Sequence, residues 1–548
     1  MAKFNRPGVR PATSSPVTTE ARPSTRTHEG AAGYVRDAKG ELFVLAVGNF
    51  VSERTFYEAA GARDDRFTAL VRHLAVEDPQ WTAQLLIWVR SAGHLRSAAV
   101  VGAAEFVHAR LAHRKEALQG AGANTPYTHA ELNRQVIAGV LQRPDEPGEL
   151  LAYWMQTYGR ALPMPVKRGI ADAVRRLYNE KALLKYDTGE GFRFGDVLDL
   201  THPAPDPGKR WQGELFRHAL DRRHGRDTIP ELPMLLARQA LMETPPADRR
   251  TVLRAPDGPA RLNAAGMTWE ALAGWLQGPM DAEAWEAIIP SMGVMAMIRN
   301  LRNFDQAGVS DTVAQHVAGR LADAEEVRRS RALPFRFLAA YRAAPSLRWA
   351  WPLQQALDHS LTNIPALTGR SLVLVDRSPS MWMAKFSERS DMPWADAAAV
   401  FGAALAVRAE HADLVEFGIH NGPVAFARGE STLKIVERFR KLNGTDIPSA
   451  VRDHLRPHHD RVIIVTDEQT RPGFLPSNAN GYRIVETPID DVIPKTTPLY
   501  MWNFGGYKPG ATPSGGAHRH TFGGLSDAAF PLIPLLEAGK SATWPWLN

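Results

Sequence analysis

A chain of 548 residues is longer than one hydrophobic core can fill, so two or three domains are expected. Hydrophobic residues make up 44% and charged residues 23%, the balance of an ordinary globular protein, and the lack of cysteine excludes disulfides and thiolate metal sites. The net charge of +6 lies wholly before Arg370, since from there on 19 basic residues meet 19 acidic ones; a nucleic-acid partner would have to be held by local cation clusters, not bulk charge.

Taken in order, residues 1–30 are rich in Pro, Thr, Ser and Arg, with Lys3, Arg6, Arg10, Arg22 and Arg26 against Glu20. So few large aliphatics cannot offset the entropy of ordering, and a disordered basic tail is expected. It lacks the apolar core of a secretory signal, and no stretch of 18 uncharged apolar residues follows; a cytoplasmic protein with no membrane span is the expectation. Ala31–Phe50 reads as a polar turn and a compact apolar run.

Helical patterns then succeed one another. Arg66–Leu74, Trp81–Ala92, Arg96–His113, Thr128–Leu141, Pro147–Gly159 and Val166–Asn179 carry apolar residues three and four apart. Met234–Leu241, Trp269–Leu276, Ala282–Arg299, Thr312–Arg320 and Leu333–Arg342 continue the pattern, punctuated by Pro and Gly. Degenerate helix pairs of this kind predict a HEAT-like α-solenoid over 31–365, although no strict repeat is present. An irregular helical domain without a groove is the alternative.

Within this region Tyr158–Glu180 is an amphipathic helix on which Lys167, Arg168, Arg175 and Arg176 stand seven and eight apart. That spacing puts them along one side, two turns apart, as a stripe that could follow phosphates or simply be a solvated face. Lys181–Pro203 follows and ends at His202; Arg193 lies between, and Arg299 and Arg302 stand further on in MIRNLRN.

Residues 370–548 read differently. Ser371–Val375 is a short aliphatic run ending in Asp376, which is how a buried parallel strand reads. Asp376, Ser378 and Ser380 alternate after it, so a loop at the strand's carboxyl end can aim three oxygens at one point. A carboxylate and two hydroxyls suit a hard cation such as Mg²⁺, and open α/β sheets place ligands at this end. Arg461–Asp467 is a second aliphatic strand ending in a carboxylate, and Asn443–Asp446 is a turn offering the Thr445 hydroxyl. Further strands at 413–418, 423–427, 482–486 and 498–503 alternate with helices near 393–408, 432–440, 447–455 and 526–538, which predicts a doubly wound, mostly parallel sheet. Gly505–Gly516 is expected to be an irregular loop.

Two resemblances emerge from these pieces. Asp376-x-Ser378-x-Ser380, Thr445 and Asp467 resemble the metal-ion-dependent adhesion site (MIDAS) of von Willebrand factor A domains, with Pro379 where that family usually has Gly. The pieces GRAL, IAD, LYNEK, LLKY and the run ending at His202 resemble the core of the TROVE domain of the Ro autoantigen family; MIRNLRN and LPFRFLAAY fit as well. A TROVE domain followed by an A domain is the order of that family, and a bacterial or phage homologue is implied. The resemblance implies a ring of HEAT-like helices closed by the A domain, binding Y-like noncoding RNA on a basic outer surface and single-stranded ends of misfolded RNA in a central hole. Lys185 and His202 align with family positions used for RNA contact, whereas a basic position between them is Gly189 here, with Arg193 as its nearby replacement. It further implies a non-enzymatic protein, monomeric within a ribonucleoprotein, a divalent cation such as Mg²⁺ in the A domain and an exoribonuclease partner. A metal-dependent adhesion module and a metal-dependent ribonuclease using Asp376 and Asp467 are the alternatives.

Overall fold

The structure, a computed structural model, describes residues 13–48, 51–120, 130–187, 191–226, 228–344, 346–386, 391–477, 481–484 and 486–547. Helices follow one another from Ala38–Gly48 to Ala350–Ser360, and a six-stranded sheet comes after them. No helix among the described residues is long and apolar enough to cross a membrane.

Local chemistry sets the helix starts. Asp78 caps the helix Pro79–Ser91, accepting from Trp81 N at 3.2 Å, with proline at the first position, where its missing N–H costs nothing. Asn179, Thr268 and Asp281 do the same for Glu180–Tyr186, Trp269–Leu276 and Ala282–Ile288. The single helix predicted over 282–299 is two, because Ile289–Ser291 tightens into a 3₁₀ turn around Pro290 and a new helix, Val294–Ala307, begins after Gly293.

Strands of the sheet run in the order Arg519–Gly523, Leu499–Asn503, Arg461–Thr466, Arg370–Asp376, His411–Phe417, Asn421–Pro423. All pairs are parallel except the last. The register aligns Leu372 with Val462, and Val462 with Leu499, so side chains of one parity share a face. Leu372, Leu374, Val462, Ile464 and Met501 pack against the helix Ile447–His454. Val373, Val375, Ile463, Val465 and Trp502 join a core that includes the helix Trp394–Arg408 and runs on into the helical region. The strand expected at 482–486 is a separate hairpin, Phe474–Ser477 with Gly481–Ile484, and the presumed loop contains Pro509–Gly510, which pairs with Ala32–Val35.

Both ends of the helical region rest on the sheet domain, which closes the helices into a ring. At the early end, Val47 O of the helix Ala38–Gly48 accepts from Leu525 N at 3.1 Å. Gly506, at φ +58°, lets that helix approach: a Cβ there would lie 2.9 Å from Leu45 Cα. Trp544 and Trp546 pack on Trp81 and Trp88, with the Trp81–Trp544 centroids 4.9 Å apart. At the late end Arg342 pairs with Asp396, and Leu433 N donates to Gln354 Oε1 at 3.2 Å.

Residues 13–30 correct the expectation of a disordered tail. They lie along the sheet domain, with Thr25–Arg26 paired to Ala32–Gly33, Ser15 N donating to Gly515 O at 3.1 Å, and Val17 fully buried. Composition misleads here because the segment is held chiefly by backbone and hydroxyl hydrogen bonds, which hydrophobicity does not register. Lys3, Arg6 and Arg10 lie outside the described residues.

Candidate functional site

Adjacent parallel strands carry the first candidate site. Asp376 ends Arg370–Asp376 and Asp467 follows Arg461–Thr466, and both side chains are completely buried. Asp376 accepts from Ser378 N at 2.8 Å and from the Thr466 hydroxyl at 2.5 Å. The Ser378 and Ser380 oxygens are 3.1 Å apart, and Ser380 lies within hydrogen-bonding reach of the Asp467 carboxylate. Asp467 Oδ1 accepts from Gln469 N at 3.1 Å, while its buried Oδ2 has no partner. Burial pushes both carboxyls above the ordinary range, and for Asp467 the charge on Asp376 adds to it.

This donor set fits a hard divalent cation. It offers two carboxyl groups, two hydroxyls and an orphaned carboxyl oxygen, in a dry site where a second negative charge is costly until a cation neutralises it. Pro379 is no obstacle, because it takes the first position of the short helix Pro379–Met383, where φ near its fixed value is required and no N–H is missed. Asp376, Ser378, Ser380 and Asp467 are therefore brought together. Thr445 is buried in the next loop, where its carbonyl accepts from Arg471 N at 2.9 Å; no hydrogen bond joins its hydroxyl to the pair among the described residues. Glu468, beside Asp467, is engaged elsewhere. It pairs with the buried Arg36 at 2.7 Å and accepts from Asn503 Nδ2 and Ala511 N at 2.7 and 2.9 Å.

The residues expected to contact RNA stand on successive helices. Lys167, Arg168, Arg175 and Arg176 are on Met164–Leu177, Lys185 is on Glu180–Tyr186, and Arg193 and His202 cap the two ends of Phe194–Thr201. Arg168, Arg175, Lys185, Arg193 and His202 are exposed, and Lys167 is half-buried. Arg176 is exposed as a residue, yet its Nη2 donates to Ala138 O and Leu141 O at 2.9 and 2.6 Å, tying it to the end of the helix Ala130–Val140. His202 adopts a left-handed backbone, φ 49°, and is exposed. Lys185 lines a cleft with Lys181, Trp269 and Ser291. Gly189 lies outside the described residues.

A second cavity was not foreseen. It has a volume of ≈ 430 Å³ and lies between the early and late helices of the ring, lined by Arg90, His94, Arg96, Arg143, Arg331 and Arg336, among others. Some of these cations are neutralised: Arg90 pairs with Glu146 at 2.5 Å, Arg143 with Asp145, and Arg96 with Glu149 at 3.3 Å. Arg331 donates to Gln142 Oε1 instead, and both it and Arg336 are exposed. Desolvation lowers both guanidinium pKa values; Arg90 lowers that of Arg331 further, against Glu146, and Arg299 lowers that of Arg336. Burial and the same arginines, Arg331 and Arg90, push His94 down to about 4, so it is neutral near pH 7. The cavity thus holds cations that repel one another, and an anion would relieve that repulsion. Arg299, exposed and beside Arg336, belongs to this side of the ring; Arg302 is exposed on the same helix. Arg336 lies in LPFRFLAAY and Arg299 in MIRNLRN, but no motif marks Arg90, His94, Arg96, Arg143 or Arg331; the lining comes from segments up to about 250 positions apart, and only ring closure assembles it.

A family model for the TROVE domain matches residues 264–360. The crystal structure of the Deinococcus radiodurans Ro (RSR) protein matches with a TM-score of 0.57 at 18% identity, over 92% of this chain and all of that one. Residues 264–360 thus resemble a TROVE domain, and the chain as a whole shares the fold of that Ro protein. No curated protein of similar sequence matches it. The matched TROVE segment contains Arg299, Arg302, Arg329, Arg331 and Arg336, and so the late wall of the arginine cavity. Lys185 and His202 lie outside it.

Proposed function

We propose that this protein is a non-catalytic RNA-binding scaffold acting in the quality control or degradation of noncoding RNA. In this reading the single-stranded ends of misfolded RNA enter the ring at the arginine cavity. A Y-like RNA lies on the outer cations of Lys167, Arg168, Arg175, Lys185, Arg193 and His202, an exoribonuclease is a partner, and the cytoplasm is the compartment. The observation that carries it is the cavity of ≈ 430 Å³ on whose wall Arg331 and Arg336, both exposed, stand among other arginines. Arginine suits this task because its planar fork meets phosphate oxygens two at a time.

Labelled RNA with a single-stranded 3′ end, titrated at several salt concentrations in Mg²⁺, tests it. Binding should weaken steeply with salt, by about 0.7 in the log–log slope for each phosphate neutralised on a single strand, and the RNA should emerge intact. Salt-insensitive binding, or cleavage, would overturn the reading.

A second reading concerns the A-type domain and has its own support. The orphaned Asp467 Oδ2 and the elevated carboxylates favour a divalent cation held by Asp376, Ser378, Ser380 and Asp467, offering a position to a partner's carboxylate. As a ribonuclease the same site is poorly equipped. Metal-assisted hydrolysis needs a base or a second ion beside the first, and the neighbouring acid, Glu468, is occupied by Arg36, Asn503 and Ala511.

A further inference from the structure

The mouth of the carboxylate pair is covered by the chain's own N-terminal segment. The Thr27 hydroxyl donates to Thr470 O at 2.7 Å, and His28 N donates to Gln469 Oε1 at 2.8 Å. Gln469 is the residue whose N–H holds Asp467 Oδ1. The His28 ring stacks on Tyr57, centroids 4.7 Å apart and planes within 3°. Beside these rings stands Glu29. Its Oε1 accepts from the Tyr57 hydroxyl and its Oε2 from Arg471 Nε, both at 2.7 Å. Tyr57 is within hydrogen-bonding reach of Ser380, as Ser380 is of Asp467. A polar path therefore runs from Glu29 through Tyr57 and Ser380 to the buried carboxylates.

The attachment is of a kind that can give way. Arg26 pairs with Glu486 at an exposed position, the short hairpin of Thr25–Arg26 with Ala32–Gly33 is a sheet edge, and the contacts to residues 469–471 are polar. Tyr57 and Arg471 hold Glu29 where it stands. A divalent cation between Asp376 and Asp467 would present a hard acid that competes with these two partners for the Glu29 carboxylate.

We propose that residues 25–30 form a strap over the cation site, with Glu29 as the chain's own carboxylate for it: cation binding draws Glu29 inward and tightens the strap, and an acidic partner peptide reaches the cation by displacing Glu29. This rests on reading Asp376 and Asp467 as a cation site. The test uses the full chain and Mn²⁺, with binding followed by electron paramagnetic resonance and the strap by hydrogen–deuterium exchange over residues 25–35. In the wild type, Mn²⁺ should slow exchange at least threefold; Glu29→Gln should still bind Mn²⁺ but show no slowing, and Asp467→Asn should show neither. Mn²⁺ bound with exchange unchanged overturns the strap and leaves the cation reading standing. Equal slowing in Glu29→Gln overturns the role given to Glu29. No Mn²⁺ bound by the wild type overturns the cation reading and the strap with it.

Discussion

The two candidate sites of this molecule are opposites in charge and in construction. At the carboxyl ends of the parallel strands, Asp376 and Asp467 crowd negative charge into a dry site, and each comes from one strand end with its own short loop. In the ring cavity, Arg331 and Arg336 crowd positive charge, and the walls come from helices distant in sequence. Each is incomplete in the same physical sense: like charges are held together at a cost that a counter-ion would remove. The first calls for a small hard cation, the second for an extended polyanion. Local β–loop geometry builds the one, and closure of the whole ring builds the other.

The sharpest break in that comparison is at the arginines. Replacing Arg331 and Arg336 together with alanine removes two charge-assisted contacts of about 1.5–3 kcal/mol each. RNA affinity should fall on the order of a hundredfold, read by filter binding at fixed salt. Both side chains are exposed, so the variant should melt near the wild type, which separates lost binding from lost folding. Unchanged affinity would remove the cavity from the RNA reading.

The carboxylate pair gives the next effect, opposite in sign with respect to pH. Both folded-state carboxyls titrate above their unfolded values. The native state therefore holds the proton more tightly. The stability this supplies is complete below the ordinary carboxylate range and is lost as pH rises through the two elevated values, one below and one above neutrality. A metal-free melting curve should drop over that interval, and Mg²⁺ or Mn²⁺ should restore it. Asp467→Asn keeps an oxygen for Gln469 N and gives Asp376 an amide donor, so it should flatten the pH dependence, abolish the response to cation and raise metal-free stability near pH 7 by about 1–3 kcal/mol. If the wild type melts the same at acid and neutral pH without metal, the pair is not charged as described here.

These contrasts also explain what could be read before the coordinates. The carboxylate residues were legible because a strand announces itself by aliphatic run and turn, and four of the five named residues sit within a few positions of strand ends; Thr445 comes from a separate turn, where its carbonyl accepts from Arg471 N. The helices were legible from periodicity, apart from the break at Pro290–Gly293, where apolar spacing continues across a turn that ends the hydrogen-bond ladder. The arginine cavity was not legible, since no local pattern records which surfaces a closed ring brings face to face. The strap was misread for the complementary reason. A segment poor in aliphatics can still be ordered when its backbone finds partners, as Ser15 does at Gly515 and Thr27 at Thr470.

The smallest effect expected tests whether the outer cations add to the hole or merely decorate it. Lys185 is exposed at a cleft edge, and lysine contacts phosphate as a mobile point charge, so Lys185→Ala should weaken RNA binding only a few-fold and reduce the salt slope by about one contact. His202 needs a different substitution. Its left-handed backbone at the end of Phe194–Thr201 penalises alanine, and a loss of binding by His202→Ala could reflect a frayed helix rather than a missing contact. Asparagine tolerates that conformation, so His202→Asn should leave the melting temperature near wild type. If it also leaves affinity and salt slope untouched, while Lys185→Ala lowers both, the outer surface binds phosphate through its lysines and arginines and the histidine serves the turn alone.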